Sequence, residues 1–171
     1  MTSCLNLHRL LGAALLCAVP TQLHAQSAPV ESSASTIILR PATVLKVDDL
    51  DFGAVVVTGA GTLVLDPVTG VMTATGGVTP VSGTPQPARF VGAASGNSVV
   101  NIKIPKQPVT LTRLLGTETI PLTNLTLDSP DKRTMARRES FEFKVGGTVS
   151  LAAAQAEGTY VGTFTVTVQY P

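Results

Sequence analysis

The chain lacks tryptophan, and its cysteines and histidines are confined to the first 25 residues. These are Cys4, Cys17, His8 and His24. Everything after residue 25 therefore has no disulfide, no Cys–His or Ser–His catalytic pair, and none of the His or Cys ligands that zinc, copper or haem sites usually use. We expect a protein that is not an enzyme and carries no cofactor.

The first 25 residues have the layout of a secretory signal peptide. Arg9 is followed by an apolar run over residues 10–19, which is too short to span a bilayer, and then by a polar stretch that ends at Ala25. We predict cleavage after Ala25 and export to the periplasm or cell surface. The whole chain has 12 basic and 11 acidic residues, so loss of Arg9 leaves 11 of each. This balance argues against a nucleic-acid partner.

Charged residues are scarce at 13% and aromatic residues at 4%, whereas hydrophobic residues reach 44%. The core must then consist mainly of Val, Leu, Ile and Ala. Val and Thr favour strands, and 15 Gly and 12 Pro residues interrupt them at short intervals. We predict an all-β fold, an Ig-like or pilin-like antiparallel β-sandwich with at most one short helix. The predicted domains are a signal peptide (1–25), a flexible extension (26–35) and a single sandwich (36–171).

Short strands are predicted between turn residues along this domain. We expect a hairpin turn at Gly59–Gly61, a turn at Gly146–Gly147 and a Gly/Pro-rich loop over residues 76–87. The short helix is expected over residues 131–139, where Pro130 occupies a first helical position. The predicted strands are 36–40, 42–47, 54–58, 62–65, 71–75, 88–93, 98–104, 109–115, 119–127, 141–145 and 148–151.

Asp48, Asp49 and Asp51 form the densest group of carboxylates. Oxygen ligands of this kind could hold Ca²⁺, but the spacing lacks the Gly and the distal Glu of a calcium loop. Turn chemistry, in which Asp side chains bond to nearby backbone, is the simpler interpretation. Both readings remain open, and we predict no metal site.

The most informative pattern is at the end of the chain, where large apolar residues alternate with mostly threonine. Because strand side chains point to opposite faces with period two, this pattern predicts one long, half-buried strand without any charged residue to protect its edge. The residues expected on its inward face, which form the candidate partner edge, are Gly158, Tyr160, Gly162, Phe164, Val166, Val168 and Tyr170.

The turn at residues 50–53 (Leu-Asp-Phe-Gly), the Gly146-Gly-Thr148 segment and the ending from Glu157 to Tyr170 together resemble a bacterial family of unknown function, the DUF4402 domain. The resemblance covers roughly residues 36–171 and implies a small exported β-sandwich.

The ending is also similar to the last strand of chaperone–usher pilins and spore-coat-U-like proteins. Tyr170 is a penultimate aromatic residue, and Gly158 is the fourteenth residue from the end. This resemblance implies copies of the chain or related subunits as partners, with a periplasmic chaperone and an outer-membrane usher. It also implies donor-strand complementation, in which an N-terminal extension adds a strand to a neighbour. The candidate donor is residues 26–40, with Ile37 and Leu39 as anchors. Many pilins carry a cysteine pair that this chain lacks after residue 25.

Two functions therefore follow from the sequence. The first is a structural subunit of a fimbria or other surface assembly that polymerises by β-strand exchange. The second is a free-standing exported sandwich that binds a ligand or partner through its loops, such as residues 76–87 and 128–140.

Overall fold

The computed structural model describes residues 43–94, 96–136 and 139–170. The predicted signal peptide, the flexible extension and the candidate donor residues Ile37 and Leu39 lie outside the described residues. So do the strand predicted over residues 36–40 and the domain boundaries at residues 25 and 35.

The described residues form strands and no helix, which confirms the predicted all-β, antiparallel fold. Alternating apolar and small polar residues give most strands one inward and one outward face. The strands are β1 (Thr43–Asp48), β2 (Ala54–Leu65), β3 (Met72–Ser82), β4 (Ala88–Ala94), β5 (Ser98–Lys103), β6 (Val109–Arg113), β7 (Thr119–Leu127), β8 (Lys132–Met135), β9 (Glu139–Leu151), β10 (Tyr160–Val161) and β11 (Thr167–Gln169).

Two sheets face each other. The larger has the order β1-β4-β9-β7-β6-β10, and β2 joins it by pairing with β9 while β3 pairs with β2. The smaller has the order β11-β5-β8. Every ladder between these strands is antiparallel. The fold is therefore a β-sandwich in which β9 is the central strand.

The buried side chains form two groups along the sandwich. The first, which we call the Phe143 core, lies between β4 and β9 of the larger sheet and β5 and β8 of the smaller one. The rings of Phe90 and Phe143 are stacked at its centre, with centroids 5.1 Å apart. The second, the Leu122 core, contains side chains of β2, β3, β7 and β9. The C-terminal residues contact both cores.

The hairpin turn predicted at Gly59–Gly61 is wrong, because β2 continues through these residues. The register with β3 shifts between Val57 and Gly61, as in a β-bulge, and Gly61 lies opposite Gly76. The partner of this bulge comes from the segment predicted as a Gly/Pro-rich loop, of which residues 76–82 belong to β3. A β-carbon on Gly77 would lie 2.5 Å from Gly59 Cα, so the two backbones approach too closely for a larger residue there.

The turn predicted at Gly146–Gly147 is also wrong, since both glycines lie inside β9. Gly146 pairs with Thr126 of β7, and Gly147 pairs with Leu65 of β2. A β-carbon at Gly146 would overlap the Leu65 carbonyl oxygen and lie 2.7 Å from Pro67 Cδ. These glycines therefore permit close packing within a continuous strand rather than reversing the chain.

The short helix predicted over residues 131–139 is replaced by β8, which pairs with β5. Tertiary contacts explain the difference. The guanidinium group of Arg133 donates to the Glu142 carbonyl oxygen at 2.6 Å and to the Asp128 carboxylate at 3.1 Å. It also lies over the Phe143 ring, 5.8 Å from its centroid. Met135, on the same strand, is buried in the Phe143 core. These contacts outweigh the local preference for a helix after Pro130.

Candidate functional site at the C-terminal segment

Residues 158–170, which we call the C-terminal segment, alternate between half-buried and exposed side chains. Of the seven residues expected to face inward, five are half-buried, whereas Gly158 and Gly162 are exposed. The residues that alternate with these seven, at the odd-numbered positions 159–169, are all exposed. The half-buried residues are Tyr160, Phe164, Val166, Val168 and Tyr170.

A single continuous strand over this segment was predicted, and the structure corrects this. Tyr160 and Val161 pair with β6 of the larger sheet. Residues 167–169 pair with Lys103, Ile102 and Asn101 of β5, in the smaller sheet. Residues 162–166 between them belong to no strand of the described structure. The segment crosses from one sheet to the other, so one ladder partner cannot follow it along its whole length.

Phe164 lies at the crossing. Its side chain packs against both the Phe143 core and the Leu122 core. Its ring meets that of Phe90 edge to face, with centroids 6.5 Å apart. Val166 and Val168 pack against the Phe143 core, and Tyr160 packs against the Leu122 core. The segment is therefore fixed through its inward side chains where its backbone leaves the ladder.

An ion pair fixes the beginning of the segment. Arg113 donates through Nε and Nη2 to the two carboxylate oxygens of Glu118, at 2.7 and 3.0 Å. Its Nη1 donates to the Glu157 carbonyl oxygen at 3.2 Å. The hydrogen bonds from Arg113 hold the pKa of Glu118 below its ordinary value, and the same interaction raises the pKa of Arg113. Gly158 packs on this side chain with φ of +145°, a backbone conformation that favours glycine.

The two tyrosine hydroxyl groups fix the two ends of the segment. The Tyr160 hydroxyl donates to the Ala156 carbonyl oxygen and accepts from Gln155 Nε2, both at 2.7 Å. The Tyr170 hydroxyl donates to the Ala93 carbonyl oxygen at 2.8 Å. Ala93 pairs with Thr43, the first residue of β1. The chain therefore enters β1 at the same end of the sandwich at which the C-terminal segment finishes.

The segment combines three properties of a strand-accepting edge. It contains no charged residue, its inward side chains pack against the two cores, and residues 163–166 have no ladder partner among the described residues. Gly162 also belongs to no ladder, but it lies against the backbone of Thr110 and Leu111 in β6. Backbone that is not paired in a ladder can offer its N–H and C=O groups to an added strand.

The carboxylates of the Asp48–Asp51 turn have separate partners. Asp48 accepts from Arg89 Nε at 2.6 Å, Asp49 pairs with Lys46 at 2.5 Å, and Asp51 accepts from the Gly53 N–H at 2.8 Å. Over the part of the chain that the structure describes, no three acidic, His or Cys side chains are placed to hold a metal ion. The contacts at Asp51 and Gly53 match the turn chemistry considered from the sequence.

Sequence reasoning did not identify Arg113 and Glu118 as part of this site. Their only signal is opposite charge on the two sides of a predicted strand connection, which fits many surface hairpins. The hydrogen bond from Arg113 to Glu157 joins residues 44 positions apart and becomes visible only in the folded structure.

Among the residues described, no helix has the length and apolar character needed to cross a membrane. No match was found among the curated proteins or among the solved structures. The family model "Domain of unknown function (DUF4402)" matches residues 42–170. This range contains every strand described above, from β1 to β11. The chain therefore belongs to the DUF4402 family.

Proposed function

We propose that this chain is a structural subunit of a fimbria or other cell-surface assembly that polymerises by β-strand exchange. The C-terminal segment is the acceptor, and residues 26–40 of a second copy are the donor, with Ile37 and Leu39 as its anchors. The observation that carries the proposal is the interrupted ladder at residues 162–166, whose neighbours Tyr160–Val161 and Thr167–Gln169 are paired in different sheets.

The chemistry of this edge suits an added strand. A donor lying beside residues 162–166 would satisfy backbone N–H and C=O groups, which gives affinity without a particular side-chain partner. The side chains of Ile37 and Leu39 have period-two spacing, so both point to one face of an extended donor. Because the C-terminal segment has no charged residue, docking removes no ionised group of this acceptor segment from water.

The direction of the chain favours a donor from a second copy. Thr43 lies opposite Ala93, beside the Tyr170 hydroxyl. Residues 36–42 of the same molecule, laid along the C-terminal segment, would place residue 42 nearest Tyr170 and would therefore run parallel to it. All ladders of the described structure are antiparallel. An antiparallel donor has the opposite direction and is most simply supplied by another copy.

Export is part of the proposal. The layout of the first 25 residues, with Arg9, the apolar run and Ala25, supports secretion to the periplasm. A subunit with an open edge is exposed to wrong pairing before assembly. A periplasmic chaperone that covers the edge and an outer-membrane usher that releases the subunit are the partners that fit this route.

The test compares a chain that starts at Gln26 with one that starts at Pro41. Light scattering should show that the chain starting at Gln26 forms large species and that the chain starting at Pro41 remains a monomer. In urea, the large species should resist unfolding, and the monomer should unfold at lower urea concentration. A peptide of residues 26–40 should restore stability to the shorter chain. As a control, Ile38→Asp in the longer chain should leave assembly nearly intact, because residue 38 points away from Ile37 and Leu39, whereas Ile37→Asp with Leu39→Asp should stop it.

A stable, cooperative monomer from both chains, indifferent to the peptide, would contradict strand exchange. That result would favour the free-standing sandwich that binds through its loops. The two loops considered for that function are residues 76–87 and 128–140. Residues 76–82 of the first belong to β3 and residues 132–135 of the second belong to β8, so less loop is available for binding than the sequence suggested.

A further inference from the structure

The connection between β6 and β7 exposes two adjacent leucines, Leu114 and Leu115, which we call the Leu tip. Leu115 is fully exposed, at 105% of its reference surface, and Leu114 is 53% exposed. Leu115 also has φ of +59°. This left-handed conformation is costly for a residue with a β-carbon and normally falls to Gly or Asn. The fold therefore displays a large apolar side chain in a conformation unfavourable for it.

The Leu tip is held firmly. The Arg113–Glu118 ion pair closes the connection, the Arg113 N–H donates to the Glu118 carbonyl oxygen at 2.9 Å, and the Gly116 N–H donates to the Arg113 carbonyl oxygen at 3.2 Å. The Leu114 N–H donates to the Thr159 carbonyl oxygen at 2.8 Å. The last bond ties the tip directly to the beginning of the C-terminal segment.

We propose that the Leu tip is a docking surface for a second copy, and that it packs against the start of β1 around Leu45 of that copy. This inference rests on the proposed strand exchange and adds the contact between the two folded bodies. Leu45 is 66% exposed and lies beside Val91 on the outward face of the larger sheet.

The occupant follows from the two ends of the C-terminal segment. Thr43, the first described residue, lies at the Tyr170 end, whereas the Leu tip lies at the Gly158 end. An antiparallel donor places its residue 40 at the Gly158 end. Three residue steps from there to Thr43 span at most about 11 Å. The body of the donor copy, with β1 first, is therefore confined close to the Leu tip.

This arrangement also permits linear growth. Each copy would accept a strand and a folded body at its Gly158 end and send its own extension from its Tyr170 end. The contact is heterologous, joining different surfaces of the two copies, so it repeats along a filament instead of closing a dimer.

The first experiment follows assembly of the chain that starts at Gln26. Leu115→Asn removes the apolar side chain and suits the left-handed conformation. We expect unchanged or higher stability of the monomer and elongation that is slower by roughly tenfold, the effect of losing one buried leucine contact. Val68→Asn is the control, because Val68 is 65% exposed in the β2–β3 turn and lies on a different element.

The second experiment uses disulfide cross-linking, since a chain starting at Gln26 has no cysteine. The double variant Leu115→Cys with Leu45→Cys should give a ladder of linked oligomers on oxidation, whereas either single variant should stop at dimers. Normal elongation of Leu115→Asn together with no ladder would overturn the docking contact and leave strand exchange standing. Failure of the unmodified chain to polymerise would overturn both. Binding of the monomer to lipid vesicles, abolished by Leu115→Asn alone, would assign the tip to a membrane surface and also overturn the proposal.

Discussion

At the scale of single residues, Gly59 and Gly77 show how one close approach fixes the bulge between β2 and β3. A β-carbon at Gly77 would lie 2.5 Å from Gly59 Cα and 2.8 Å from its carbonyl carbon. The same addition at Gly59 would meet only Gly77 Cα, at 3.6 Å, which is ordinary van der Waals contact. Neither glycine has a positive φ. The requirement at Gly77 is therefore one of space, and it is one-sided.

This asymmetry gives a matched pair of variants. Gly77→Ala should lower the free energy of unfolding by about 2 kcal/mol, because the bulge must open to admit the methyl group. Gly59→Ala should be close to neutral, and a small gain is expected where a glycine is replaced without strain. Urea unfolding of both variants measures the difference. Equal losses in the two variants would mean that the strands are not in the register described.

The glycines also show what the sequence cannot decide. Gly59, Gly61, Gly146 and Gly147 were interpreted as turns, and all four lie within strands. A glycine pair between apolar runs is compatible with a turn, a bulge or a close backbone approach. The choice depends on partners that are distant in sequence, such as Leu65 opposite Gly147. The alternation of apolar residues and the positions of Gly and Pro predict that strands are present, but they do not predict which glycines lie in turns.

At the scale of elements, the C-terminal segment was predicted in part. Its alternation follows from the sequence, and residues 160–170 do alternate in exposure apart from Gly162. The change of sheet at Phe164 does not follow, because the same alternation is expected for a strand with one partner throughout. The position of Phe164 against both cores is a property of the assembled sandwich.

The role of Phe164 can be tested against its neighbour. Phe164→Glu places a charge beside the Phe90 ring and against both cores. The variant should lower the free energy of unfolding by roughly 3 kcal/mol and sharply reduce accumulation of the protein. Thr165→Glu places the same charge on the exposed face and should be tolerated. Thermal unfolding and the amount of soluble protein are the measurements. Normal accumulation of Phe164→Glu would count against the inward orientation of this side chain.

At the scale of the whole molecule, the class of fold could be predicted from the sequence, but the strand topology could not. Val- and Thr-rich strands, scarce charge and frequent Gly and Pro indicate a sandwich of antiparallel strands. They do not indicate that β9 pairs with β2, β4 and β7, or that β8 forms where a helix was expected. Those features depend on contacts between strands far apart in the chain, as in the packing of Arg133 on Phe143.

The distribution of charge over the molecule predicts how assembly depends on salt. The C-terminal segment has no ionised side chain, and residues 36–40, the part of the candidate donor that holds its anchors, carry only Arg40. Electrostatic attraction is screened over about 10 Å at 0.1 M salt, so a contact driven by charge weakens strongly as salt is added. The strand exchange that we propose at this edge depends instead on backbone hydrogen bonds and apolar anchors. We expect the elongation rate of the chain starting at Gln26 to change by less than about twofold between 0.05 and 0.5 M NaCl. Thr163→Asp, which places a carboxylate beside the edge, should make the rate depend on salt through attraction to Arg40. A large fall in the rate of the unmodified chain on adding salt would show that charged surfaces outside the C-terminal segment drive association.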